Sequence, residues 1–184
     1  MTPAAGRRRN GVLVLTVVLW IACVPAILNQ PGWVIAVGLA LCVLAAAIAI
    51  EDLARMLIPD EYTIAVALLA AALAWGLGGW PRLWVSLVEA GILALSLLGF
   101  SLLYAKLRGR TGLGLGDVKL LSASALLVGI GGVGLQILFA CVAAMLFVLM
   151  RSIRRKRPLR LASRIPFATF LAPALVLVWS WGLF

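Results

Sequence analysis

Long apolar runs alternate with short polar punctuation along nearly the whole chain. A helix that crosses a bilayer needs about 20 mainly apolar residues. Seven runs approach that length: 11–28, 33–50, 62–78, 83–105, 118–134, 135–151 and 165–183. They predict an all-α fold, a polytopic integral membrane bundle of about seven helices. The breaks between them are short. "NQPG" at 29–32 and "GGWP" at 78–81 read as tight turns, and Trp33, Trp80 and Trp84 suit a membrane interface. The spans leave no room for a soluble domain of useful size, so residues 1–184 read as one membrane-embedded domain.

Composition agrees with the pattern: 65% of residues are hydrophobic and 12% are charged, far from the balance of a soluble domain. The net charge of +10 raises the question of nucleic acid, and its distribution answers it. Basic residues collect at Arg7–Arg9, Arg55, Lys106–Arg110, Lys119 and Arg151–Arg164. With seven spans and the N-terminus inside, all of these fall on the cytoplasmic side, and only Arg82 falls outside. This is the positive-inside pattern, which predicts N-in and C-out and no nucleic-acid partner. The run "RSIRRKRPLR" is also suited to hold anionic membrane lipid. The N-terminal run has the form of a signal peptide too; we read it as a retained helix. Cys23, Cys42 and Cys141 lie in apolar runs without a C-x-x-C pair, and read as small buried residues rather than disulfide or zinc ligands.

With six acidic residues in the chain, each can be weighed. Glu51, Asp52, Asp60 and Glu61 cluster in "IEDLARMLIPDEY", between the second and third runs. Asp117 starts the fifth run and Glu89 lies inside the fourth, where it reads as a polar contact between helices. Asp52 directly follows an apolar run and Asp117 directly precedes one, on the same predicted side. Each is therefore placed at a helix end near the membrane surface, where an ionisable group is a candidate functional residue. A solvated helix-end acid is the plain alternative for either one alone, and Asp117 also suits a helix N-terminus electrostatically.

The absence of histidine excludes a Ser-His or Cys-His catalytic pair and an H-E-x-x-H zinc site. Two hydrolytic arrangements remain: the Asp52–Asp117 pair, and a Ser–Lys couple of Ser122 with Lys119. The aspartate pair asks for less, because two carboxylates can share a proton and divide the acid and base roles. It calls for no metal and no cofactor.

The stretch "GLGLGDVKL", residues 112–120, delivers Asp117 after three alternating glycines. In an extended conformation Gly112, Gly114 and Gly116 share one face, leaving it bare for a substrate backbone to pair as an added strand. A flexible inner loop or a helix-packing surface explains the glycines equally well on spacing alone.

"GLGLGDVKLL" resembles the G-x-G-D-x-K motif of the type IV prepilin peptidases, through Gly114, Gly116, Asp117 and Lys119. "EDLARMLIPDEYT" is similar to that family's first catalytic segment, through Asp52 and Ile58-Pro59-Asp60. "RIPFATFLAP" resembles its late I-P-F-G-P segment through Ile165, Pro166 and Phe167, with Ala168 and Thr169 departing from it. The three occur in the family's order and cover the chain from about residue 33, which makes residues 33–184 the family-like core and residues 1–32 an extra N-terminal helix and turn. The resemblance implies a membrane-embedded aspartyl endopeptidase of the bacterial inner membrane, removing short basic leaders from type IV prepilins or type II secretion pseudopilins at the cytoplasmic face. Asp52 and Asp117 are then the catalytic pair. Gly114, Gly116, Lys119, Pro59, Asp60 and Pro166 support or contact the substrate; Glu51, Asp60 and Glu61 attract its basic leader. Larger family members carry a cysteine-rich region associated with N-methylation. None appears in these residues, so a peptidase-only form is expected.

Two other classes compete. A non-catalytic transporter or assembly component explains isolated membrane acids but not three ordered motifs. A presenilin-like protease shares G-x-G-D but usually has a Y-D pair where this chain has Glu51-Asp52.

The topology can be tested with single cysteines in a cysteine-free background and an impermeant thiol reagent. Intact cells should label a cysteine near Gly79 and spare one near Arg155; the reverse pattern contradicts the charge-based orientation.

Overall fold

Four helices carry most of the described chain: α1 (Gly32–Arg55), α2 (Asp60–Arg108), α3 (Leu115–Arg155) and α4 (Ala168–Ser180). The computed structural model describes residues 17–18, 21–23, 30–109, 113–155 and 166–182, and no strand occurs among them. The expected first span, 11–28, lies mostly outside the described residues. Residues 17–18 and 21–23 are helical, and Cys23 is fully buried against α4, with its Sγ 3.9 Å from the Val176 carbonyl.

At 1.5 Å per residue, a straight helix of the 49 residues in α2 would run about 74 Å, over twice the thickness of a bilayer's hydrocarbon core. It folds back instead. Gly79 has φ 61° and ψ −156°, a conformation essentially closed to residues with a Cβ. Pro81, just beyond, has no N–H to carry helical bonding across the break. Residues equidistant from Gly79 border the same spaces: Asp60 and Leu98, and Ala67 and Gly91, line one groove, while Leu73 and Val85 line one cavity. The two legs therefore lie side by side.

α3 reverses in the same way at Gly129, with φ 69° and ψ 174°. Gln136 Nε2 donates to Ser124 Oγ at 3.1 Å, although residues that far apart stand about 18 Å apart along a straight helix. The sequence pattern put this break at 134–135. It falls five residues earlier because "GIGGVG" (129–134) offers several glycines of equal hydropathy, and Gly129 is the one with a partner. The Ile130 N–H, at the start of the second leg, donates to Glu89 Oε2 at 3.1 Å. Glu89 thus caps the N-terminus of that leg from α2, which gives the expected interhelical polar contact a location.

Packing follows the rules of helices that meet in lipid, where small residues let backbones approach. Ala45, Ala46 and Ala49 on α1 and Ala168, Ala172 and Ala174 on α4 are buried, and these two helices pack on each other while α3 contacts both α2 and α4. Fully buried Gln136 ties the layers, donating through Nε2 to Leu171 O at 3.0 Å as well as to Ser124. By contrast α2 turns Leu68, Leu95, Leu102 and Leu107 outward. Three helices are long and apolar enough to cross a membrane, and these outward leucines form the kind of surface that lipid covers. The chain is an all-α membrane protein.

The two ends of the bundle differ. Around Gly79, Trp80 stacks on Trp84 and meets Trp75 edge-on, and Trp33 from the start of α1 lies against Gly76. The end of α1, the start of α2 and the start of α3 gather at the opposite end.

The glycine breaks yield a graded prediction. A Cβ on Gly79 meets only Pro81 Cδ at 3.9 Å, whereas one on Gly129 comes within 2.9 Å of Glu89 Oε2. Gly79→Ala should therefore lower stability by the backbone cost alone, about 1–3 kcal/mol. Gly129→Ala should lose more, and Glu89→Ala should narrow that difference. Thermal unfolding in detergent measures all of these; equal losses at the two glycines would contradict the assignment.

Candidate active site at the converging helix ends

Asp52 sits in the last turn of α1. The helix ends just beyond it, at Met56, whose left-handed conformation (φ 52°, ψ 38°) lets its N–H donate back to Asp52 O at 2.8 Å. The chain then runs through Leu57, Ile58 and Pro59 into α2. Pro59, at φ −60° and ψ 140°, is the residue from which α2 starts, and Asp60 and Glu61 fill its first turn, where acids suit the helix dipole. Ile58 is buried and turns toward the start of α3.

Its neighbour there is Gly116. A Cβ at that position would lie 3.3–3.4 Å from three Ile58 side-chain atoms, so a hydrogen is what lets the Ile58-Pro59-Asp60 segment close on the α3 N-terminus. This differs from the extended reading of the glycine run. α3 begins at Leu115, so Gly116 is helical while Gly114 precedes the helix, and the bare strand face does not form from them. Gly112 lies outside the described residues. Gly114 supplies its carbonyl to the Val118 N–H at 3.1 Å and lies beside Asp117, whose Oδ2 would be 3.3 Å from an added Cβ.

The two candidate carboxylates come from separate helices and lie at the same end of the bundle, Asp52 in the last turn of α1 and Asp117 in the first turn of α3. Asp52 is 5% exposed. Asp117 is half-buried in the first turn of α3, close enough to Asp52 for the two negative charges to repel. Pro166 is placed at the same end, three residues before Thr169 at the start of α4.

Sequence reasoning passed over Thr169. Its backbone N–H donates to Asp52 Oδ2 at 2.8 Å, and its hydroxyl lies 3.1 Å from both Oδ2 and the Ala49 carbonyl, sharing one proton between two acceptors. The available signal was the departure of Thr169 from the I-P-F-G-P pattern, which by itself does not say what the residue bonds to.

Lys119 also finds a partner other than the one first considered. Its Nζ donates to Asp60 at 2.7 and 3.0 Å, an exposed ion pair that joins the first turns of α2 and α3. It is not bonded to Ser122, whose hydroxyl donates to Val118 O at 2.8 Å within its own helix, so the Ser–Lys couple is not assembled. Glu51 pairs with Arg55 at 2.8 Å. Of the four acids at the end of α1 and the start of α2, two are thus engaged by cations among the described residues. An apolar groove of about 680 Å³ opens beside the Asp60–Lys119 pair, between both legs of α2 and the first leg of α3. A cavity of about 770 Å³ holding Arg82 and Glu89 lies at the tryptophan-rich end, away from the carboxylate pair.

Comparison with known proteins places this arrangement. The family model described as the Type IV leader peptidase family matches residues 39–149, which include both Asp52 and Asp117. The chain is 30% identical over 174 residues to a prepilin leader peptidase/N-methyltransferase of Aeromonas salmonicida, covering 88% of this chain and 55% of that protein. It is likewise 30% identical over 183 residues to one of Aeromonas hydrophila, covering 93% of this chain and 57% of that protein. The chain thus spans a little over half the length of these curated relatives. No solved structure matches it. The chain belongs to the type IV leader peptidase family.

Proposed function

We propose that this chain is a multi-pass aspartyl endopeptidase of the bacterial inner membrane, and that it removes the short basic leader from type IV prepilins or pseudopilins. What supports the reading is that Asp52 and Asp117 stand on two different helices at one end of a membrane bundle, the end joined by Ile58 against Gly116 and by the Asp60–Lys119 pair. With the N-terminus inside, the charge distribution puts that end at the cytoplasmic face. Counting each leg of α2 and α3, together with α1, α4 and the N-terminal run, gives the seven crossings of the N-in, C-out arrangement.

The chemistry requires only the pair and a water. The ionised carboxylate takes a proton from water as its oxygen bonds to the scissile carbonyl carbon. The protonated partner gives its proton to the carbonyl oxygen. On collapse the C–N bond breaks, and that proton returns through the same carboxyl to the leaving amine. The proton left on the first carboxylate passes to its partner and restores the pair. Asp60 and Lys119 act as a pair that holds the α2 and α3 N-termini together, and Gly116 keeps the Ile58-Pro59-Asp60 segment against them. Glu61, exposed in the first turn of α2, is the acid best placed to attract a basic leader. Leader removal alone is assigned to these 184 residues, whose three cysteines form no C-x-x-C pair.

Co-expression with a prepilin from the same genome tests the reading. Asp52→Asn and Asp117→Asn should each slow leader loss by at least about 10²-fold at normal membrane abundance, because asparagine keeps the shape and cannot exchange the proton. Ser122→Ala should cleave normally. Near wild-type processing by either asparagine variant would refute the pair. A purified reaction with prepilin and a methyl donor should yield processed, unmethylated product by mass spectrometry; methylated product would remove the peptidase-only assignment.

A further inference from the structure

We propose that Thr169 is a positioning residue that fixes the Asp52 carboxylate through Oδ2, making Asp52 the base of the pair and Asp117 its acid. The inference deepens the reading just given and rests on it for the identity of the reaction. Two donors of one residue converge on a single oxygen. The Thr169 N–H reaches Oδ2 at 2.8 Å and the hydroxyl lies 3.1 Å from it. That N–H belongs to the first turn of α4, one of the helix donors without an intrahelical acceptor, at the positive end of the helix dipole. Donors aimed at a carboxylate stabilise its charged form. Asp117, which these donors do not reach, is left as the acid of the pair. With Oδ2 held by Thr169, Oδ1 is the oxygen that takes the proton from water.

The position itself is informative. The I-P-F-G-P pattern that 165–169 resembles has proline where this chain has Thr169. Proline has neither an N–H nor a hydroxyl, so both bonds to Asp52 are features of this sequence. They also orient α1 against α4, because the same hydroxyl reaches the Ala49 carbonyl one turn before Asp52. Gln136 secures α4 from the other side through the Leu171 carbonyl, which keeps the donors in place.

The test uses the full chain in detergent or liposomes with purified prepilin, comparing Thr169→Val, which keeps the shape and loses the hydroxyl, with Thr169→Ser, which restores it. Thr169→Val should lower kcat by about 10- to 100-fold, the worth of one hydrogen bond to a charged group, with KM unchanged. Thr169→Ser should recover to within about 3-fold of the wild type on the same scale. In parallel, infrared difference spectra should identify the Asp52 carboxylate stretch by its loss in Asp52→Asn. That band should shift in Thr169→Val and return in Thr169→Ser. Wild-type kcat in Thr169→Val, equal defects in the valine and serine variants, a raised KM alone, or an unmoved carboxylate band would each overturn the proposal. The spectra stand apart from the reaction: a band shift in a protein that cleaves no prepilin would support the hold on Asp52 while removing the assigned substrate.

Discussion

Inside a hydrocarbon layer an unpaired peptide group costs several kcal/mol, so a chain this apolar stays helical until it reaches an end or a residue able to break. Both kinds of interruption are used here. Gly79 and Gly129 break α2 and α3 in conformations that glycine alone tolerates, and each break folds one long helix into two adjacent legs. The freed groups are met from neighbouring helices: Glu89 accepts the Ile130 N–H at the α3 break, and Asp52 accepts the Thr169 N–H at the start of α4. The same shortage of intrahelical partners thus draws a carboxylate to the Gly129 break and to the start of α4.

What separates the two carboxylates is their company. Glu89 caps a helix at the tryptophan-rich end, within a cavity that also holds Arg82. Asp52 has a second acid, Asp117, at the same end of the bundle, and the packing of the helix ends holds the two there. The last turn of α1 and the first turns of α3 and α4 are fixed by Ile58 against Gly116, by the Asp60–Lys119 pair and by the Thr169 bonds. An exposed ion pair such as Asp60–Lys119 contributes little stability, of order 0–1 kcal/mol; its value here is in register, since it ties α2 to α3 beside the reacting groups.

The helices and both aspartates were legible in the sequence because hydropathy and helix-end placement are local properties. Asp52 follows an apolar run and Asp117 precedes one, and no folding information is needed to see it. The conformation of the glycine run was not legible: the alternation that suggested a strand at 112–116 is overridden when Leu115 starts α3 and Gly116 is used for contact with Ile58. Nor was the break at Gly129, because hydropathy ranks the glycines of 129–134 alike and the deciding partner, Glu89, is distant in sequence. The partners of Lys119 and Thr169 depend on which helix ends are brought together. Thr169 illustrates the point well, since a departure from a family pattern marked a residue whose N–H and hydroxyl both reach the Asp52 carboxylate.

The central claim is that Asp52 and Asp117 act as one unit, and a double-mutant cycle on leader cleavage measures that directly. Residues that share a single catalytic function are strongly non-additive. The Asp52→Asn/Asp117→Asn double variant should therefore cleave no more slowly than either single variant. Losses that multiply, with the double variant slower by the product of the two single effects, would mean that the two carboxylates act independently and would contradict the account.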